Sequence, residues 1–208
     1  MSTPLAARTV IAWVSLVLVV SSGGCSRDEA PPPQPPPGSD RGAVDAVVVD
    51  CDQRISGGVI KEYPWREQSV IAGPVAFWPA KSEFPEIPSA GLRPVSIKDG
   101  ERRFASDQLK LQIIIERGEH AVVAIAPDAR ELAAFLFRKK YRTGGYPIRW
   151  GTTALDVTGC REAASHTEYS TALIVDGPRC LPLVVEVDRA QSSIETFLPI
   201  GVKSCQAR

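Results

Sequence analysis

Hydropathy changes character three times along the chain. Residues 10–20 form an apolar run with Ser15 its one polar residue, residues 26–42 hold no large apolar side chain, and from about residue 43 short β-branched runs alternate with Gly, Pro and Asp. In the last region the spacing predicts strands over 44–49, 70–78, 93–97, 109–115, 121–126, 154–158, 169–175, 181–187 and 195–200. Leu109, Leu111 and Ile113 alternate with Lys110 and Gln112, and Val185 and Val187 flank Glu186, which is the period of a half-buried strand. Turns are expected at Gly57-Gly58, Asp99-Gly100, Gly144-Gly145 and Asp176-Gly177-Pro178, because glycine accepts positive φ and proline presets the first turn position. The chain contains no asparagine, so aspartate and glycine carry the tight turns.

Residues 127–140 fit two descriptions. One is a helix opened by Pro127 or Asp128 with Leu132, Phe135 and Leu136 on one face. The other is a turn over 127–131 followed by a strand from Ala133 to Arg138, with Phe135 and Phe137 on one side. The strand is preferred, because neighbouring strands recur at the 8–12-residue spacing of sandwiches. Residues 43–208 are therefore expected to form a single all-β domain, an antiparallel immunoglobulin-like β-sandwich in the loose sense. No fixed-period repeat points to a solenoid or propeller.

The apolar run at the start follows a single charge, Arg8, and exits through Ser21, Ser22, Gly23 and Gly24. That is the anatomy of a secretory signal peptide over residues 1–24. At about eleven residues the run is shorter than the roughly 20 a membrane-spanning helix needs. Small residues directly before Cys25 resemble the lipobox of bacterial lipoproteins, although Ser22 stands where that pattern prefers Leu or Val. The resemblance implies a diacylglycerol on the Cys25 thiol and cleavage just before it, and ordinary signal-peptidase cleavage is the alternative. Two or three acyl chains, at about 0.8 kcal/mol per buried methylene, anchor a protein firmly to a membrane. Residues 26–42, with six prolines between Pro31 and Pro37, then predict an extended polyproline-type tether.

Cysteine arithmetic agrees with export. With Cys25 lipidated, Cys51, Cys160, Cys180 and Cys205 remain, an even set that predicts two disulfides outside the cytoplasm. Of the three pairings, Cys160 with Cys180 and Cys51 with Cys205 is preferred. The first closes a short loop worth about 3 kcal/mol on the chain-entropy argument, and the second clamps the ends of the domain.

The C-terminal part resembles uncharacterised secreted proteins and lipoproteins of actinobacteria. The series runs from Val157-Thr158-Gly159-Cys160 through Tyr169 and the residues up to Val175. It continues with Cys180-Leu181-Pro182-Leu183 to Val187, and closes on Gly201 and Cys205. Ser170 and Thr171 replace the glycine pair usual there. The resemblance implies an exported location and disulfide use, and it adds no chemistry.

Charge excludes some functions. Twenty-four basic against 24 acidic side chains give no one-sign field for nucleic-acid binding. His120 and His166 lie apart with no zinc-type spacing and read as surface or turn histidines. No Gly-x-Ser-x-Gly elbow, phosphate loop or cofactor motif occurs. Glu83 with Glu86, or Glu116 with Glu119, would suit glycosidase acid–base work only if brought together across a groove; solvated loop charges are the commoner case. Residues 138–142 (Arg-Lys-Lys-Tyr-Arg) are the strongest local charge, either a solvated strand end or a contact for anionic lipid or wall polymer. Tyr63, Trp65, Phe77, Trp78 and Phe84 interleave with Pro64, Pro74, Pro79, Pro85 and Pro88, and either pack over the core or form a stacking platform. The sequence thus predicts a lipid-anchored, non-catalytic binding or scaffolding module at the cell envelope, with the membrane and a wall polymer or envelope protein as partners. A wall hydrolase or transferase with loop carboxylates is the alternative, as is a secreted, unlipidated protein.

Overall fold

In the computed structural model the described residues are 45–55, 65–105, 108–138, 143–188 and 193–205. All follow the division of the chain after Arg41. The leader, Cys25, the proline tether, Gly57-Gly58, Tyr63, Pro64 and residues 139–142 lie outside them.

Alternation of apolar and polar residues dictates most of the strands. In β6 (Leu109–Glu116) Leu109, Leu111, Ile113 and Ile115 are buried while Lys110 faces water. In β7 (His120–Ile125) Ala121, Val123 and Ile125 point inward. The other long strands are β10 (His166–Val175), β11 (Arg179–Val187) and β12 (Ser193–Ile200), and β9 spans Ala154–Thr158. Short strands are β1 (Val47–Val49), β2 (Val70–Ala72), β3 (Val75–Trp78) and β8 (Ala133–Phe135).

These strands build two five-stranded sheets. The first has the order β1-β9-β7-β11-β12 and the second β2-β3-β6-β10-β8. All pairs are antiparallel except β1 with β9, where Val49 lies beside Val157 in parallel. The inner faces of both sheets feed one apolar core that includes Phe77, Ile113, Val123, Leu155, Tyr169, Leu183 and Leu198. Each fully buried side chain of this size contributes about 1.5–3 kcal/mol.

The expected strand over 70–78 is two strands. Gly73, at φ +59°, takes the first position of a two-residue loop before Pro74, so Ala72 pairs with Val75. Glycine fills that position because the favoured hairpin loops need positive φ there. A separate hairpin joins β4 (Ser96–Lys98) to β5 (Glu101–Arg103) through Asp99 and Gly100, both at positive φ. Glu101, Arg102 and Arg103 carry no apolar alternation, so this strand had no sequence signature. The strand expected over 93–97 begins only at Ser96, after a 3-10 turn over Ser89–Leu92.

Residues 127–138 follow the preferred description of turn then strand, although the strand ends at Phe135 rather than Arg138. A 3-10 turn over Pro127–Ala129 precedes β8, and Phe135 and Phe137 enter the shared core. Ala134 and Leu136 face the other way, into a second apolar cluster with Phe104, Tyr146 and Ile174.

All four cysteines of the domain are oxidised, but the expected pairing is wrong. The bonds are Cys51–Cys160 and Cys180–Cys205. Strand direction is the reason. Parallel pairing of β1 with β9 brings Cys51 and Cys160 out at the same end of the first sheet. Because β7 is antiparallel to both β9 and β11, those two strands run parallel, and Cys180 starts β11 at the opposite end. There the chain leaving β12 returns Cys205 to it.

Candidate functional site

Two clusters of titratable side chains form at the ends of β7 and β10. Each is built on one of the two histidines, which the sequence suggested were plain surface residues. His166 opens β10 opposite Glu116 of β6. Beside it a one-turn helix, α1 (Trp65–Gln68), lies over the outward face of the second sheet. Trp78 fixes α1 by donating its indole N–H to Gln68 Oε1 at 3.1 Å, and Ser69 donates to the Trp65 carbonyl at 2.6 Å.

The Trp65 ring then meets the His166 ring at 5.2 Å between centroids. Arg66 stacks its guanidinium 4.8 Å from the Trp65 centroid and stands 3.9 Å from Glu116 Oε1. Trp65, Arg66, Ile71, Glu116 and His166 thereby line a shallow groove. Behind it, His166 Nδ1 is 2.7 Å from Ser165 Oγ and Nε2 is 3.2 Å from Glu168 Oε1. Glu168 is 5% exposed and its Oε2 has no partner. A buried carboxylate oxygen left unpaired costs more than an exposed one. The arrangement offers an aromatic edge, a cation and an oriented imidazole to a ligand.

The second cluster sits on the first sheet. His120 Nε2 is 2.5 Å from Asp156 Oδ1 on β9, and Nδ1 is 2.8 Å from Asp188 Oδ2, just past β11. The Nδ1 contact lacks hydrogen-bond alignment and acts as an ion pair. Burial works against the charged ring, but the attraction of Asp188 and Asp156 together outweighs it and holds the His120 pKa above its ordinary value.

The remaining sequence candidates are placed as follows. Phe77 and Phe84 are fully buried, so they pack the core rather than form a platform, while Trp65 and Trp78 cover Ala76 and Ile114. Glu83 and Glu86 are exposed around the 3-10 turn Phe84–Glu86. Glu116 joins the groove. Arg138 is exposed at φ +54°, and the rest of its basic cluster lies outside the described residues, as does Cys25. The His166–Glu168 pair, two alternate residues on one strand face, fell just before the strand expected over 169–175 and was missed. The partners of His120 were not legible, being 36 and 68 positions distant. Among the described residues the sulfurs of Cys51 and Cys160, grouped with Glu162, are already bonded to each other, and no helix is long and apolar enough to cross a membrane. No family model matches the chain, and no curated protein or solved structure matches it.

Proposed function

We propose that the chain is exported, that Cys25 carries a lipid anchor, and that the β domain is a non-catalytic binding or scaffolding module at the cell envelope. In this reading the domain is an immunoglobulin-like sandwich in the loose sense, held off the membrane by the proline-rich tether. One observation carries it. The two disulfides use Cys51, Cys160, Cys180 and Cys205, so of the five cysteines only Cys25, at the end of a signal-like segment, is left for another fate. Disulfides persist in oxidising compartments, where an exposed thiol would itself react. The partners are the membrane, through the lipid, and a wall polymer or envelope protein.

Metabolic labelling with a fatty-acid analogue tests the reading. The wild-type chain incorporates label and stays with membranes, and Cys25→Ser loses both. Labelling and retention unchanged in the variant overturn the anchor; a wild-type chain free in the medium without label assigns it to simple secretion.

A second reading, a wall hydrolase or transferase, draws on the groove at Trp65, where Glu116 lines the wall and Glu168 stands behind His166. Release of soluble fragments from purified cell wall, abolished by Glu168→Gln, would favour it over the binding module.

A further inference from the structure

The two sheets differ in what covers their outward faces. That of the second sheet packs against α1 through Ala76 and Ile114, and against Phe104, Tyr146 and Trp150. The main contacts of the first sheet among the described residues are between its own strands and, through β12, with β2 and the Phe84–Glu86 turn. Its outward positions follow from the register. They hold the carboxylates Asp156, Glu186 and Glu195, with Asp188 one residue past β11, and no lysine or arginine among the described residues. Between the acids run Val48, Val122, Ala124, Pro182, Val184 and Phe197, of which Val48 is 61% exposed and the others half-buried. Among the described residues the base on this face is His120, held between Asp156 and Asp188.

An apolar strip rimmed by acids, in a chain of zero net charge, is complementary to a partner carrying the opposite sign. We propose that this face docks a basic, extended polypeptide segment of a partner protein. Its lysine or arginine side chains meet Asp156, Asp188 and Glu195, its apolar side chains lie on Val122, Val184 and Phe197, and His120 competes with it for Asp156 and Asp188. The inference rests on the binding-module reading and names the chemistry of its partner.

Protons modulate the competition. Asp156 faces His120 from β9 and Asp188 from the end of β11, Glu119 precedes it in the chain, and Glu186 is the next acid on the face. A protonated ring neutralises the two aspartates. Loss of that proton frees both, so the basic segment binds more tightly as pH rises through the His120 titration.

The test uses full-length protein in detergent and a labelled peptide of about twelve residues alternating lysine and valine, with fluorescence anisotropy at low salt, at pH about 5.5 and about 8. The expected result is saturable binding, about threefold or more tighter at the higher pH, that weakens about tenfold or more in the exposed double variant Asp188→Lys/Glu195→Lys. His120→Gln abolishes the pH dependence, and Asp188→Asn halves it or better while leaving the fold undisturbed. A peptide alternating glutamate and valine does not bind. The proposal falls if the lysine peptide fails to saturate at either pH, if the folded double variant binds it equally, or if both the His120 and Asp188 variants keep the wild-type pH response. Sedimentation showing a dimer that Val184→Glu dissolves overturns it as well, by giving the face to a second copy. None of these outcomes touches Cys25 labelling, so the anchor and the docking surface fail separately.

Discussion

Tyr169 of β10 donates its hydroxyl to the carbonyl of Thr158 at the end of β9, at 2.5 Å, and so straps the second sheet to the first. The ring is fully buried, and two residues beyond Thr158 the chain reaches Cys160 and its bond to Cys51. Tyr169→Phe removes the strap and keeps the ring, leaving the Thr158 carbonyl without this donor. A loss of about 1–2 kcal/mol in denaturant unfolding is expected; an unchanged midpoint would mean the hydroxyl contributes nothing.

The same hydroxyl titrates late. Burial, with the negative charge of Asp50 adding to it, pushes the Tyr169 pKa up to about 12. An acid whose folded pKa is raised contributes stability that is complete below its unfolded pKa, near 10, and is lost as pH rises from there through about 12. Spectrophotometric titration of wild type against Tyr169→Phe should show one phenol missing from the late-ionising set, with the pH dependence of unfolding above about 10 flattened in the variant.

His120 gives the domain an acid-side bonus. Its folded pKa is raised, so its contribution is complete below the unfolded value, near 6.5, and is lost as pH rises through the folded one. Melting temperature relative to His120→Gln is therefore expected to be highest at mildly acidic pH and to converge above the histidine range. A gap that widens with rising pH contradicts the Asp156 and Asp188 contacts.

The two disulfides differ in the loops they close. Cys51 and Cys160 are 109 positions apart, Cys180 and Cys205 only 25. Loop-closure entropy then predicts a loss of about 5 kcal/mol for Cys51→Ser/Cys160→Ser and about 3.5 kcal/mol for Cys180→Ser/Cys205→Ser. Equal losses in paired denaturation curves would show that something other than loop length governs them.

Gly159 has no room for a side chain. Its amide donates to the Glu119 carbonyl at 2.7 Å and its carbonyl accepts from Gly118 at 2.9 Å, and a Cβ on it would collide with the Glu116 carbonyl. Gly159→Ala forces the turn between β6 and β7 away from the loop that leads into His166. A loss of about 2 kcal/mol or more is expected, accompanied by altered Trp65 fluorescence as the His166 ring shifts beneath it.

Most of the architecture was legible because apolar alternation is a local signal. Leu109 to Ile113 and Ala121 to Ile125 announced β6 and β7, and Asp99-Gly100 announced a turn. The rest depended on partners distant in sequence. Glu101 to Arg103 form a strand only because that turn folds them onto Ser96 to Lys98. Gly73 and Pro74 split the strand expected over 70–78, although they sit inside a run of strand formers that reads as one strand. The disulfide pairing turned on whether β1 and β9 run parallel, which no local pattern reports. The His120 cluster likewise assembles from three strands, and only the tertiary register brings Asp156 and Asp188 to the ring.

Non-reducing mass spectrometry of the mature protein, intact and after proteolysis, tests the exported, anchored reading most directly. The account predicts a polypeptide beginning at a diacylglyceryl-modified Cys25, with cross-linked peptides joining Cys51 to Cys160 and Cys180 to Cys205 and no free thiol. A cytoplasmic chain that retains residues 1–24 and carries four reduced thiols in its β domain would contradict it.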